Sequence, residues 1–170
     1  SPPLMGLCAE RNVLISFLSE HGRFFARVQG AVSGNVLLRR EQYRRADEET
    51  SSSEIARAVV LAKVANCRTV LMRTTRDRPD AEGAPAIDQA AAKLADSLNV
   101  LKSPAPLDTV RGIEGEAAKT YFSVFDHLIA SQKDDFFFRE RSRRPPLDNM
   151  NALLSFLYTL LAHDVTAACE

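Results

Sequence analysis

Residues 51–79 read SSSEIARAVVLAKVANCRTVLMRTTRDRP, an uninterrupted helical run. Ser51 and Glu54 stand at capping-box spacing, and Pro79 closes the run. Working toward the C-terminus, the Gly/Pro-containing loop PDAEGAP leads to a further helix, AIDQAAAKLADSLNVLK, at residues 86–102. Pro104 and Pro106 break it, and Asp108 is placed to cap the next helix, which continues through GIEGEAAKTYFSVFDHLIA to residue 130. A polar stretch, QKDDFFFRERSRRPPLD, separates that from a final helix, NMNALLSFLYTLLAHDVTAAC, at residues 149–169. Toward the N-terminus, NVLLRREQYRRADEE at residues 35–49 reads as one more helix. Before it, VLISFLS and RFFARVQ flank the turn Glu20-His21-Gly22 and read as a β-hairpin, with Gly30 and Gly34 at its exit. Pro2 and Pro3 suit the first turn of a short helix running to about Asn12. The expected fold is mainly α: an incomplete all-helical domain preceded by a short helix and hairpin left from an N-terminal β-domain. The chain opens on SPPLMGLCAERN and stops inside a helical pattern with no closing Gly, Asn or Pro, so the expectation is an internal piece of a larger protein.

Composition bounds the function classes. The 170 residues are 45% hydrophobic and 26% charged, enough for one ordinary domain. Lys plus Arg is 22 and Asp plus Glu is 22, which excludes a uniformly basic nucleic-acid coat. No apolar run approaches the roughly 20 residues of a membrane-spanning helix, and no secretory signal opens the chain. Cys8, Cys67 and Cys169 are odd in number and far apart, fitting neither a disulfide framework nor a paired-cysteine zinc site. A reducing cytoplasm is the expected compartment.

The zero net charge conceals zoning. Residues 1–45 hold seven Arg against three Glu, and the acidic residues from Asp47 to Glu54 follow. Arg57, Lys63, Arg68, Arg73, Arg76 and Arg78 then meet only Asp77 and Asp80, and Arg139, Arg141, Arg143 and Arg144 cluster later. Seventeen of the 22 cations are Arg, whose planar fork suits phosphate. A phosphate-contacting surface is one reading of such stripes, but simply charged, solvated helix faces are the preferred one, so the stripes alone do not assign a ligand.

The chemistry-bearing segment is RGIEGEAAKTYF, residues 111–122. A glycine costs about 1 kcal/mol relative to alanine inside a helix, yet Gly112 and Gly115 flank Glu114. Small neighbours permit close approach of another backbone, a metal's ligand shell or a nucleic-acid strand to that carboxylate. Hard cations such as Mg²⁺ or Mn²⁺ take carboxylate oxygens, but one carboxylate is not a site. On spacing alone, pairing of Glu114 with Arg111 at i,i+3 is the preferred account.

GIEGEAAKTYF followed by RSRRPPLDNMNALLSFLYTLLAHD resembles the CRISPR-associated integrase of spacer acquisition, the universal first Cas protein. LMGLCAERNVLISFLSEHGRFFARVQG looks like the end of that family's N-terminal β-domain, and GNVLLRREQYRRAD resembles its linker and first helix. The resemblance covers essentially the whole chain in the right order, and the wording RRPPLDNMNALLSFLY looks most like the bacterial type I-C branch. It implies domain limits of residues 1–30 for the β-domain remnant, 31–50 for linker and first helix, and 51–170 for the helical catalytic domain. It also implies a divalent-metal-dependent DNA endonuclease and integrase that inserts short foreign DNA into a CRISPR array by transesterification. The implied cofactor is Mg²⁺ or Mn²⁺; the implied partners are DNA, a second copy of the chain and the small second Cas protein, with no membrane.

The family's ligand set is a Glu, a His and an Asp. The resemblance maps the Glu onto Glu114, while the His and Asp lie beyond Glu170, so the 170-residue chain is expected to be inactive alone. The contrasting reading is a non-catalytic helical module that binds nucleic acid or protein through its Arg stripes. Lys63, Arg68 and Arg111 are the chosen DNA-phosphate contacts. His163 beside Asp164 reads as an ordinary helix residue, His127 beside Asp126 as a packing or surface residue, and His21 as a solvated turn residue. Tyr121, Phe122 and Phe125 are expected to fill the core, and Phe136-Phe137-Phe138 either to anchor a loop in the core or to contact a partner. Asn151 and Tyr158 are candidates to orient the Glu114 helix by hydrogen bonding. Finally, the Val13–Gln29 hairpin is expected to expose apolar surface and favour self-association.

Overall fold

A computed structural model describes residues 1–11, 13–20, 23–30 and 36–169. Its elements are α1 (Pro2–Glu10), β1 (Ile15–Leu18), β2 (Phe24–Val28), α2 (Val36–Asp47), α3 (Glu49–Asp77), α4 (Ala84–Leu101), α5 (Leu107–Ser123), a short 3₁₀ helix (Phe125–Leu128) and α6 (Asn149–Cys169). The mainly α class and the hairpin are as the sequence predicts. The helix end at Asn12, the His21-Gly22 turn, Gly34 and the helix start at Asn35 fall outside the described residues. The chain divides into two compact units, one of residues 42–142 and one of residues 1–41 with 143–170.

In the first unit, α3, α4 and α5 pack together around Val64, Leu71, Ile87, Leu94, Leu101, Val110 and Ala117. The register of α4 shows why: Ile87, Ala90, Ala91, Leu94 and Leu101 are buried and Leu98 is half-buried, so apolar residues recur at three- and four-residue steps along one face. On α5 the same rule places Val110, Ile113, Ala117 and Tyr121 toward the core. Two long-range bonds tie the loops down. The Ser53 hydroxyl donates to the Ala105 carbonyl, and Arg57 Nη1 donates to the Leu101 carbonyl at 2.9 Å, satisfying an orphan acceptor at the end of α4.

Three local expectations are corrected. α3 begins at Glu49, two residues before Ser51, and Ser51 Oγ instead donates to Glu48 Oε2 at 2.6 Å, so the Ser51–Glu54 capping box does not form. The helix starts earlier because Glu48, in an extended conformation, takes the N-cap position and Glu49 opens the first turn. Asp108 does not cap α5 either: Pro106 precedes the first turn, and Asp108 lies within it. Nor does α5 run to residue 130. It ends at Ser123, and the chain tightens into the 3₁₀ helix, because aromatic packing around Phe125 takes over from helix continuation.

That packing joins Tyr121, Phe122, Phe125 and Phe138. Phe122 stacks on Phe138 at 5.5 Å between ring centroids, and Phe125 meets Phe138 at 4.8 Å. Tyr121, Phe122 and Phe125 are thus half-buried, only Tyr121 packing against the core cluster, whereas Phe138 is buried and anchors its loop. Asp126 holds the loop from the other side: the Phe138 backbone N–H donates to its Oδ1 at 2.8 Å and Lys133 Nζ to its Oδ2 at 3.2 Å. His127 packs so closely over Gly83 that a Cβ there would lie 2.3 Å from the imidazole, which accounts for glycine at that position.

In the second unit β1 and β2 pair antiparallel, with Ile15 opposite Val28 and Ser16 opposite Arg27, and an irregularity between Phe17 and Leu18. The His163 ring of α6 packs on Phe24 of β2, 4.7 Å between centroids. Gly30 passes the Ala9 carbonyl of α1, where a Cβ would sit 2.7 Å from the oxygen. Asp148 opens α6, accepting the Asn151 backbone N–H and its Nδ2 at 2.7 Å each. Buried Asn151 thus bonds at the start of its own helix.

Candidate functional site

The α3–α5 contact positions the candidate site. Val64 of α3 and Val110 and Ala117 of α5 are buried in it. Lys63 adjoins Val64, and Glu114 lies midway between Val110 and Ala117, so both side chains emerge at the rim of the packed helices. There Lys63 Nζ donates to Glu114 Oε1. The pair is partly open to solvent, with side-chain exposures of 43% for Lys63 and 34% for Glu114.

The expected Glu114–Arg111 pair does not form. Arg111 Nη1 donates to Asp108 Oδ1 at 2.9 Å. Helical side chains lean toward the helix N-terminus, which carries Arg111 to Asp108 in the first turn. Glu114 meets its cation across the helix pair instead. Of the four residues singled out, the structure joins Lys63 to Glu114, places Arg111 exposed on α5, and leaves Arg68 half-buried on α3 with its Nε unbonded. Gly112 and Gly115 are exposed, and a Cβ at either would meet nothing within 4 Å. No neighbour in the described chain takes up the close approach that those glycines permit.

The partnership of Lys63 with Glu114 is what sequence reasoning missed. Lys63 stood out as a DNA-phosphate contact, not as a partner of Glu114, and 51 residues separate the two. No local spacing encodes that contact. One turn along α3, burial pushes the Cys67 thiol up, against a smaller opposing pull from Lys63. Cys67 is therefore a protonated packing thiol at neutral pH rather than a nucleophile. In the chain's other unit, His163 and Asp164 of α6 line a cavity of about 190 Å³ with Leu14, Ser16, Leu18, Arg27 and Leu160.

The donor chemistry of Glu114 suits a hard divalent cation. The described residues nevertheless do not make a metal site: among them no group of three or more His, Cys, Asp or Glu is placed to hold an ion, and an ammonium already engages Glu114. Among the described residues no helix is long and apolar enough to cross a membrane.

Geometry alone therefore leaves the site a carboxylate–ammonium pair on the rim of a helical bundle. Comparison with known proteins supplies the wider frame. A CRISPR-associated endonuclease Cas1 of Chlorobaculum tepidum is 48% identical over 170 residues, covering 100% of this chain and 50% of that protein. The chain spans about half the length of the curated relatives it matches. Among solved structures, a casposase bound to integration product superposes with a TM-score of 0.70 at 23% identity, over 95% of this chain and 43% of that one. A Cas6-RT-Cas1–Cas2 complex gives 0.68 at 24% identity, over 98% of this chain and 18% of that one. At those identities the structures speak for the fold. The family model described as CRISPR associated protein Cas1 matches residues 1–170, from the first helix through the Glu114 segment to α6, and the chain belongs to that family.

Proposed function

We propose that this chain is part of a divalent-metal-dependent DNA endonuclease and integrase of CRISPR adaptation, with Glu114 as one ligand of Mg²⁺ or Mn²⁺. The observation that carries this reading is the Cas1 family match across all 170 residues, with the Glu114 segment inside it. Its domain limits are those the resemblance implies: residues 1–30 from a β-domain, 31–50 a linker and first helix, 51–170 a catalytic helical domain. The substrate class is duplex DNA, and the reaction is transesterification: a 3′-hydroxyl of the incoming DNA attacks a phosphodiester of the target strand, forming a new P–O bond as the bond to that strand's 3′-oxygen breaks and leaves a 3′-hydroxyl. Arg68 and Arg111, with Lys63, would contribute cations for backbone phosphates, a role that lowers affinity as salt rises. A second copy of the chain and a Cas2 protein are the proposed protein partners. The solved Cas1–Cas2 complex of like fold supports the latter. The proposed compartment is the cytoplasm.

The described residues provide this reading with a carboxylate, not a complete metal site. The remaining ligands are proposed to come from the rest of the longer protein, and the 170-residue chain alone is expected to be inactive. The test incubates Mn²⁺ and duplex DNA with the natural-length gene product, its Glu114→Ala variant and this chain. Only the natural-length wild type is expected to cut or join DNA. Glu114→Ala should lose roughly 100-fold or more, since removing even an outer-shell partner of a metal ligand costs about 10- to 100-fold. Wild-type activity in Glu114→Ala overturns the metal assignment. DNA binding without strand chemistry in any form would favour a non-catalytic binding module.

A further inference from the structure

α6 is apolar on more sides than its own unit covers. Among Asn149–Cys169, Asp164 is the single Asp, Glu, Lys or Arg. A surface helix keeps a charged or polar face opposite its apolar stripe, whereas a helix apolar all round belongs inside a larger core. The hairpin covers one side of α6: His163 packs on Phe24, and Leu160 lines the adjoining cavity. Along another side Leu153, Leu157, Leu161 and Val165 recur at four-residue steps, with exposures of 43%, 50%, 56% and 53%. Side chains four apart are neighbours on a helix surface, so these four form one continuous row. Such a row is the ridge that a second helix receives in its groove.

The 48%-identical relative from Chlorobaculum tepidum has about as many residues again as this chain, which covers 50% of it. A segment tethered in the same molecule reaches the row at an effective concentration of about millimolar, above that of a separate copy in dilute solution. We propose that the row Leu153, Leu157, Leu161 and Val165 seats an amphipathic helix from the part of the natural-length protein outside these 170 residues. The apolar face of that helix covers the row, and its polar face becomes the surface in the row's place. The contact needs neither a metal ion nor DNA, so it stands or falls apart from the role of Glu114.

The first test is hydroxyl-radical labelling of the unsubstituted natural-length protein, without DNA or added metal, read by mass spectrometry at Leu153, Leu157 and Leu161. A seated helix brings these side chains to the 9% exposure or less of core residues such as Ile129. Labelling should then fall about tenfold or more below that of the urea-unfolded protein, whereas an open face falls only about twofold. A twofold difference overturns the proposal. The second test identifies the cover by photo-crosslinking the natural-length protein with Leu157→p-benzoylphenylalanine and, in case that variant folds poorly, Val165→p-benzoylphenylalanine. The expected product keeps the mass of one chain on a denaturing gel and joins α6 to a peptide outside the 170 residues. A product of doubled mass shows that a second copy covers the row and overturns the tethered helix. A product of single mass joined to a peptide within residues 1–170 overturns it as well.

Discussion

At the residue scale, Asp126 carries more of the structure than its place beside His127 suggests. Burial pushes its carboxyl up, but the Phe138 backbone N–H and Lys133 together outweigh that and hold it below the ordinary value for aspartate. A carboxylate depressed on folding adds stability that is fully present above its unfolded value, about 3.9, and is lost as pH falls through the folded one. Asp126→Asn keeps an acceptor oxygen for Phe138 but loses the charge. Its cost at pH 7 should be about 1 kcal/mol, a charged hydrogen bond discounted because 40% of the side chain is exposed. Urea unfolding midpoints from pH 7 to pH 3 check both points. The gap between variant and wild type should hold to about pH 5 and narrow below about 4. A gap that widens in acid rules out the ionised acceptor.

At the element scale, α5 pairs two helix-weakening glycines with unoccupied space. Gly112 and Gly115 lie inside the helix, and an added Cβ meets nothing within 4 Å. Each change to alanine should therefore stabilise by about 0.4–1 kcal/mol, read as a rise in the urea midpoint. If the bare surface serves approach of a DNA strand, the double variant should also bind duplex DNA more weakly while folding better. A destabilised double variant would show that the space is filled in solution. The element boundaries show what was legible beforehand. α6 spans Asn149–Cys169 as its unbroken pattern predicts, and the hairpin strands fall within the two β-branched and aromatic runs. Local rules failed where a distant residue competed. α5 stops at Ser123 because Phe138 meets Phe122 and Phe125 from a later loop. Asp108 does not cap because α5 starts at Leu107, one residue earlier, which puts Asp108 inside the first turn. The candidate site was half legible: spacing singled out Glu114, whereas its cation arrives through helix packing that no local pattern encodes.

At the scale of the whole molecule, surface apolarity and charge act together. A two-stranded hairpin is marginal in water without further cover, and here Phe25 is 64% exposed, with Val13 and Phe17 also open. The chain carries equal numbers of positive and negative side chains, so net repulsion does not hold copies apart. Open strand edges and apolar side chains together favour association of one copy with another. The purified chain is therefore expected to self-associate with rising concentration in sedimentation equilibrium, above the 18.8 kDa of a single copy. Phe25→Glu should shift the distribution toward 18.8 kDa, because it sets a charge on the most exposed aromatic side chain of the hairpin. An exposed position of this kind changes folding stability by no more than about 0.5 kcal/mol, so an unchanged helical circular dichroism spectrum would separate association from unfolding. A wild type that stays at one copy across the concentration range defeats the expectation. If instead both proteins associate equally, the contact lies on another surface, with exposed Leu37 and Leu38 of α2 the next residues to charge.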